Sequence, residues 1–196
     1  MTYSIIGSGN VGTALARQFA RNGIPVGIAN TRGPDSLAAL AAELGGNVEA
    51  MSLQDALRAD TIFLAIPFLA HTAVGAALSN WEGKTIVDAM NTYGVPPEAL
   101  AGKASSDVVA AAFPGAKVVK TLNQLPAKLL AMDPTENGGR RVMFVAGNDN
   151  ASAATIAQLV ADLGFAPILL GKVSDVGVLL ERGGPLVLQN LIKLNN

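Results

Sequence analysis

Three glycines near the start of the chain have the spacing of a phosphate-binding turn. The segment Gly7-Ser8-Gly9-Asn10-Val11-Gly12 follows a short apolar run, Tyr3 to Ile6, and opens a segment with helical apolar periodicity. In such a turn the first glycine bends the chain, the second admits the phosphates and the third lets the helix pack on the strand. Helix N-terminal amides then face the anion. The motif predicts a dinucleotide site.

The residues after the second predicted strand favour NADP(H) over NAD(H). An NAD site usually has a carboxylate at the end of that strand, which binds the ribose 2′-hydroxyl. Here the strand ends in Asn30-Thr31-Arg32, and the first carboxylate is Asp35. The Arg32 guanidinium suits a 2′-phosphate, with Asn30 and Thr31 as further hydrogen-bonding groups. The alternative is that Arg32 is a solvated loop charge and that Thr31 or Asp35 caps a helix.

Composition excludes several classes of function. The 196 residues are 50% hydrophobic and 15% charged, with a net charge of -1, so nothing indicates a nucleic-acid or membrane partner. One His and no Cys argue against a metal site, and the chain has no nucleophile elbow for a serine triad.

The run from Thr61 to Leu78 is nearly uncharged, but Pro67 and Gly75 interrupt it, so we expect strand, loop and helix there rather than a membrane span. Without a visible export signal, we expect a cytoplasmic protein.

Apolar runs alternate with helix-period segments along the whole chain. This pattern predicts an α/β fold, a Rossmann-type doubly wound parallel sheet with a small C-terminal extension. We expect residues 1–140 to form the NADP(H)-binding domain, and residues 141–196 to complete the cleft and to contribute a dimer contact. The elements that matter below are helices over 35–44, 69–78, 106–113, 126–132 and 150–163, a helix starting at Ser52, and strands over 47–50, 61–66, 85–88, 117–121, 141–146 and 166–170.

The ordered motifs resemble a known family. After the glycine turn and Asn30-Thr31-Arg32 come Ala65-Ile66-Pro67, the run from Phe113 to Asn123, Gly147-Asn148-Asp149 and the run from Asp162 to Phe165. In this order they are similar to the NADPH-dependent reductases of the deazaflavin coenzyme F-420 and to the related NADPH-binding domains of ferric and cupric reductases. The tail, Glu181 to Leu194, resembles the C-terminal helix of that family.

The resemblance implies NADP(H) bound across the carboxyl ends of the strands, with a second redox partner in the cleft. It places Ser8, Gly9, Asn10 and Val11 on the pyrophosphate and Thr31 and Arg32 on the 2′-phosphate. Ile66 and Pro67 would pass beside the cofactor. Asn91 and Asn123 end later strands, where the switch point of the sheet would put them near the nicotinamide or the acceptor. The archaeal deazaflavin enzymes carry a His at the position of Asn123, so the acceptor, a deazaflavin, a flavin or a similar ring, stays open.

Few other side chains suggest chemistry. His71, the sole histidine, can donate to an acceptor or a phosphate at the cleft mouth, or can be a half-exposed helix residue. Lys120 can contact a phosphate or substrate, or can reach solvent from a strand end. Asp55, Asp60 and Asp88 are explained as caps, loop residues or exposed residues. This scarcity suits direct hydride transfer, because the cofactor supplies the reactivity.

Three functions remain open from the sequence. The first is an NADPH-dependent oxidoreductase that passes hydride to or from a planar acceptor. The second is a non-catalytic NADP(H)-binding redox sensor or regulatory module. The third is an imine or β-hydroxyacid reductase, which usually needs a long helical second domain for which 196 residues leave little space. The apolar residues of the tail, from Leu179 to Leu194, either pack on their own subunit or bury against a second copy, and we favour a homodimer.

Overall fold

The computed structural model of the protein describes residues 1–194. Within these residues, ten strands alternate with eight short to medium helices. The strands are β1 (Tyr3–Ile6), β2 (Val26–Ala29), β3 (Val48–Ala50), β4 (Thr61–Leu64), β5 (Thr85–Asp88), β6 (Lys117–Lys120), β7 (Thr135–Glu136), β8 (Gly139–Gly147), β9 (Ala166–Gly171) and β10 (Ile192–Leu194). The helices are α1 (Asn10–Arg21), α2 (Ala38–Leu44), α3 (Leu53–Ala56), α4 (His71–Gly75), α5 (Ser105–Ala112), α6 (Ala127–Leu130), α7 (Asn150–Asp162) and α8 (Val173–Val176).

The six strands β1 to β6 form a parallel sheet in the order β3-β2-β1-β4-β5-β6. The chain leaves β1 in one direction and returns to its other side at β4. This reversal between β1 and β4 is the topological switch point at which such sheets bind ligands, at the carboxyl ends of the strands. The predicted doubly wound Rossmann-type fold is confirmed.

Apolar residues fill both faces of the sheet, as its central strands require. On one face α1 and α7 cover a core in which Phe19 meets Phe63 edge to face, with ring centroids 5.4 Å apart. On the other face Trp81 and Phe113 pack at 4.7 Å and help to cover β4 and β5. The run 61–78 forms a strand, a loop and short helical turns. No helix among residues 1–194 is both long and apolar enough to cross a membrane.

Strand β8 connects the parallel sheet to the C-terminal part of the chain. Its last two residues pair antiparallel with β6, its middle pairs parallel with β9, and its first residues pair antiparallel with β7 and β10. The expected division at residue 140 therefore falls inside β8, and the sheet continues across it.

The structure differs from the expectation in several elements, and the helix expected over 35–44 is the 3-10 turn Pro34–Leu37 followed by α2. The region expected to be one helix from 69 to 78 is a 3-10 turn over Phe68–Ala70 followed by the short helix α4. The tail does not form the C-terminal helix implied by the resemblance. After a 3-10 turn, Gly177–Leu180, it runs through irregular turns and ends as β10. Gly183-Gly184-Pro185 explains this, since two glycines and a proline are poor helix formers.

Candidate functional site: a two-cavity cleft at the switch point

The glycine turn lies at the switch point, between the ends of β1 and β4. Gly7 has φ +111°, and a Cβ there would lie 2.2 Å from the Ala65 carbonyl oxygen of the neighbouring strand end. A Cβ on Gly12 would lie 1.9 Å from the Gly7 carbonyl oxygen. A Cβ on Gly9 would have no atom within 4 Å. Gly7 and Gly12 thus allow the backbone segments to pack closely. Gly9 leaves the N-terminus of α1 open, as an approaching phosphate requires.

Asn30, at the end of β2, ties the glycine turn to the following loop. Its side-chain nitrogen donates to Ser8 Oγ at 2.9 Å, and its side-chain oxygen accepts from the Arg32 backbone N–H at 2.8 Å. The Arg32 side chain is exposed. The alternative of a helix capped by Thr31 or Asp35 is wrong. Gly33, at φ +87°, precedes the 3-10 turn Pro34–Leu37, and no side chain caps that turn or α2.

Two cavities meet at the glycine turn, and both are lined in part by Gly9, Ile66 and Pro67. The first cavity, of about 330 Å³, extends toward Asn30, Thr31, Leu53 and Val74. The second cavity, of about 340 Å³, extends over the other side of the turn toward Met90, Asn91 and Tyr93. Among the described residues, no charged side chain lines either cavity. The cleft therefore consists of two uncharged cavities on either side of the open N-terminus of α1.

The structure pairs Asn91, which lines the second cavity, with the buried Asn123, which does not line it. Asn91 donates to the Asn123 carbonyl oxygen at 2.8 Å, and the Asn123 side chain donates to Asn91 Oδ1 at 3.0 Å. Asn123 also donates to the Leu180 carbonyl oxygen at 2.7 Å. Leu122, next to it, has φ +63°, a left-handed conformation that disfavours leucine and turns the chain at this point. The two asparagines thus join the ends of β5 and β6 to the tail.

Lys120 and Asp88 form a buried ion pair behind the second cavity. Lys120 Nζ lies 3.0 Å from Asp88 Oδ2 and 2.6 Å from the Met90 carbonyl oxygen, and both side chains are at most 1% exposed. Asp88 also accepts from the Met90 N–H at 3.0 Å and from Ser106. Both expectations for Lys120 were wrong, as was the explanation of Asp88 as a cap, loop or exposed residue, since it is a fully buried residue of β5. The register of β5 against β6 pairs these two residues directly, and each neutralises the other.

His71 is not part of the cleft lining. The residue is 2% exposed, its ring packs at a tilt against the Phe68 ring with centroids 4.9 Å apart, and its Nδ1 lies 2.5 Å from the Phe68 carbonyl oxygen. Its Nε2 has no hydrogen-bond partner among the described residues. The expectation of a half-exposed ring was wrong, because the 3-10 turn at 68–70 folds His71 inward.

Sequence reasoning missed Gln124, which holds the tail against β8. The fully buried Gln124 accepts from the Phe144 N–H at 2.7 Å and donates to the Val142 carbonyl oxygen at 3.2 Å. Its backbone oxygen accepts from the Leu188 N–H at 2.7 Å. The Gln124 side chain thereby makes the hydrogen bonds to β8 that a longer β6 would have made with its backbone. Only its position just beyond a predicted strand could have indicated this role.

The fold and this cleft define a dinucleotide-binding α/β protein of the Rossmann type. Residues 2–92 match the model of the family described as NADP oxidoreductase, coenzyme F420-dependent. A protein from an Arthrobacter species, assigned as an F420-dependent NADP reductase, is 28% identical with a TM-score of 0.73, over 98% of this chain and 100% of its own. The match to this family of NADP oxidoreductases covers residues 2–92, which hold the glycine turn, the loop after β2 and strands β1 to β5.

Other solved structures extend the comparison. A hypothetical protein from Sinorhizobium meliloti is 43% identical over 98% of this chain and 96% of its own, with a TM-score of 0.94. A reductive aminase from Aspergillus terreus in complex with NADPH is 22% identical with a TM-score of 0.63, over 87% of this chain and 55% of its own. That likeness shows the fold alone, and this chain spans about half of the aminase. No curated protein matches the chain.

Proposed function

We propose that the protein is an NADPH-dependent oxidoreductase that transfers hydride between NADP(H) and a planar acceptor such as a deazaflavin or flavin. The observation that carries the proposal is the pair of cavities that meet at the glycine turn. Each has space for a ring system, and the open N-terminus of α1 lies between them. A dinucleotide has the same layout, with two ring-bearing halves joined by a pyrophosphate.

In this proposal the adenosine half occupies the first cavity and the nicotinamide half occupies the second. The backbone from Gly7 to Gly12 binds the pyrophosphate, and Ile66 and Pro67 separate the two halves. Bound NADPH supplies a hydride donor. The chain's own contribution is to orient the nicotinamide beside Asn91 and to exclude water with the apolar lining.

The preference for NADPH rests on the loop after β2. Asn30 fixes this loop by its bonds to Ser8 and to the Arg32 backbone, so that the Arg32 side chain extends from an anchored position. After β2, no carboxylate that could bind the ribose 2′-hydroxyl occurs before Asp35. A guanidinium and the Thr31 hydroxyl suit a phosphate rather than a ribose diol.

Titration with NADPH and NADH, followed by cofactor fluorescence, tests this site. We expect wild type to bind NADPH more tightly, and Arg32→Ala to weaken NADPH by about 1.5–3 kcal/mol with little effect on NADH. Arg58→Ala is the matched control, because Arg58 is exposed and lies near the amino end of β4. The proposed cofactor site lies at the carboxyl ends of the strands. Equal affinities for NADPH and NADH in wild type would refute the role of Arg32.

Turnover separates the enzyme from a redox sensor. We expect loss of NADPH absorbance with at least one of deazaflavins, flavins, quinones or ferric chelates. Tight NADPH binding with no turnover on this panel would favour the non-catalytic module.

We also propose a homodimer formed through the tail. Val178, Leu188 and Leu194 are each at least 60% exposed, which is unusual for large apolar side chains so close in sequence. Sedimentation equilibrium is expected to give twice the 20.0 kDa chain mass. A monomer at micromolar concentration would contradict this.

A further inference from the structure

An aromatic ring and a guanidinium stand together at the outer end of the second cavity. Tyr93 lines the cavity yet is 59% exposed, and the guanidinium carbon of Arg182 lies 4.9 Å from the centre of its ring. Arg182 comes two residues after Leu180, whose carbonyl oxygen accepts from Asn123. The tail therefore brings a cation to the rim of the cavity, at the end away from the first cavity.

Arg182 is not neutralised by its surroundings. No ion pair within residues 1–194 involves it. Its neighbour Glu181 is engaged elsewhere, since its carboxylate accepts from the Ser105 backbone N–H at the start of α5. The charge of Lys120, deeper in the protein, is matched by Asp88. Arg182 is thus the cation positioned to meet an anion entering by this rim.

The stacked position prepares the guanidinium for binding. A guanidinium lying over an aromatic face is held by the ring while its N–H groups remain free at the edge. Those N–H groups match the spacing of two oxygens on a phosphate or carboxylate. The cofactor's own phosphates have other partners in the proposed function, namely the glycine turn and Arg32, so the anion at Arg182 belongs to a different molecule.

We propose that Tyr93 and Arg182 form the outer subsite for the hydride acceptor, and that the acceptor is a planar heterocycle with an anionic side chain, a phosphate or a carboxylate. The ring lies between the nicotinamide and Tyr93, and the anion binds the Arg182 guanidinium at the rim. This inference rests on the proposed function, because it assigns the inner part of the second cavity to the nicotinamide.

The probes are FMN and riboflavin, which share one ring system and differ by a phosphate. Each is titrated into the protein saturated with NADP⁺, with quenching of flavin fluorescence as the readout. We expect wild type to bind FMN about tenfold more tightly than riboflavin, the scale of one charge-assisted contact. Arg182→Ala is expected to reduce that ratio to about one, and Arg182→Lys to retain part of it. Tyr93→Leu is expected to weaken both flavins, because both lose the stacking surface.

Arg58→Ala is the control for net charge and must leave the FMN to riboflavin ratio unchanged. The subsite is overturned if neither flavin binds, if the two bind equally to wild type, if the preference survives in Arg182→Ala, or if Arg58→Ala also abolishes it. Failure of NADP⁺ to bind would instead overturn the proposed function. The flavin ratio is then still measured on the cofactor-free protein, so the two failures are distinguishable.

Discussion

The two halves of the cleft are built by different means. The half around the first cavity is shaped by backbone, since glycines without side chains allow β1, β4 and α1 to approach closely. The half around the second cavity is held by buried polar side chains, the Lys120–Asp88 pair, the Asn91–Asn123 pair and Gln124. A glycine turn fixes the backbone through contacts between close neighbours, whereas the polar network joins strand ends that are about 30 residues apart in sequence. The first half thus follows from a local motif, and the second depends on tertiary pairing.

The largest expected effect comes from breaking the ion pair of the second half. Lys120→Met leaves Asp88 as an unpaired buried charge, so the free energy of unfolding is expected to fall by about 3–5 kcal/mol in urea titration. Lys117→Met is the matched control on the same strand. Its side chain is 56% exposed and its ion pair with Asp149 spans 3.7 Å, so the loss should stay below about 1 kcal/mol. Similar losses in the two variants would show that the second half does not depend on this pair.

Two alanine substitutions in the glycine turn separate packing from binding in the first half. In Gly12→Ala the new Cβ meets the Gly7 backbone, so unfolding free energy should fall by about 1–3 kcal/mol. In Gly9→Ala the Cβ meets no protein atom, so stability should change by less than about 1 kcal/mol. Gly9→Ala should nevertheless weaken NADPH, because the methyl group occupies the approach to the helix N-terminus. Unaltered NADPH binding in Gly9→Ala would show that the glycine turn does not bind the cofactor.

A more local loss is expected from Asn123→Ala. The substitution leaves the Leu180 carbonyl oxygen and Asn91 without their donor, at a cost of about 1–2 kcal/mol. Hydrogen exchange should quicken at residues 177–184 and at the end of β5, and should not change in β1 and β2. Uniform acceleration across the sheet would contradict the separation of the two halves.

The smallest effect concerns acid sensitivity at the amino ends of β1 and β4, away from both halves of the cleft. Asp60 accepts from the Thr2 backbone N–H at 2.7 Å and from its hydroxyl at 3.0 Å, and these bonds hold the pKa of Asp60 below its usual value near 3.8. A lowered pKa stabilises the fold above the unfolded-state pKa, and this contribution is lost as the pH falls through the folded-state pKa. Wild type should therefore exceed Asp60→Asn in stability at pH 6, and the difference should shrink by pH 2.5. A difference that is constant with pH would show that the carboxylate charge is irrelevant.

The sequence was informative where structure is local. The glycine spacing, the apolar strand β4 and the Ser52 cap, which accepts from the Asp55 N–H at 3.1 Å, could all be read from neighbouring residues. The doubly wound fold class also followed from the alternation of strands and helices. These features depend on contacts within a few residues or on rules shared by all such sheets.

The rest depended on contacts between distant residues. A lysine at a strand end usually reaches solvent, and only the register that places Asp88 opposite Lys120 makes burial possible. The tail was apolar but not periodic, so its pairing with β8, more than 45 residues earlier, had no local signal. The stacking of Arg182 on Tyr93 joins two irregular segments and was equally hidden.

Hydride transfer itself is tested most directly with NADPH deuterated at both C4 positions and a 5-deazaflavin as acceptor. Carbon 5 of the reduced deazaflavin does not exchange its hydrogen with water, so mass spectrometry records where that hydrogen came from. The account predicts one deuterium at carbon 5 from labelled NADPH in ordinary water, and none from unlabelled NADPH in deuterated water. Reduced deazaflavin whose new hydrogen comes from water would contradict direct transfer. If a protein that binds NADPH reduced none of 5-deazariboflavin, riboflavin and FMN, that result would also contradict direct transfer.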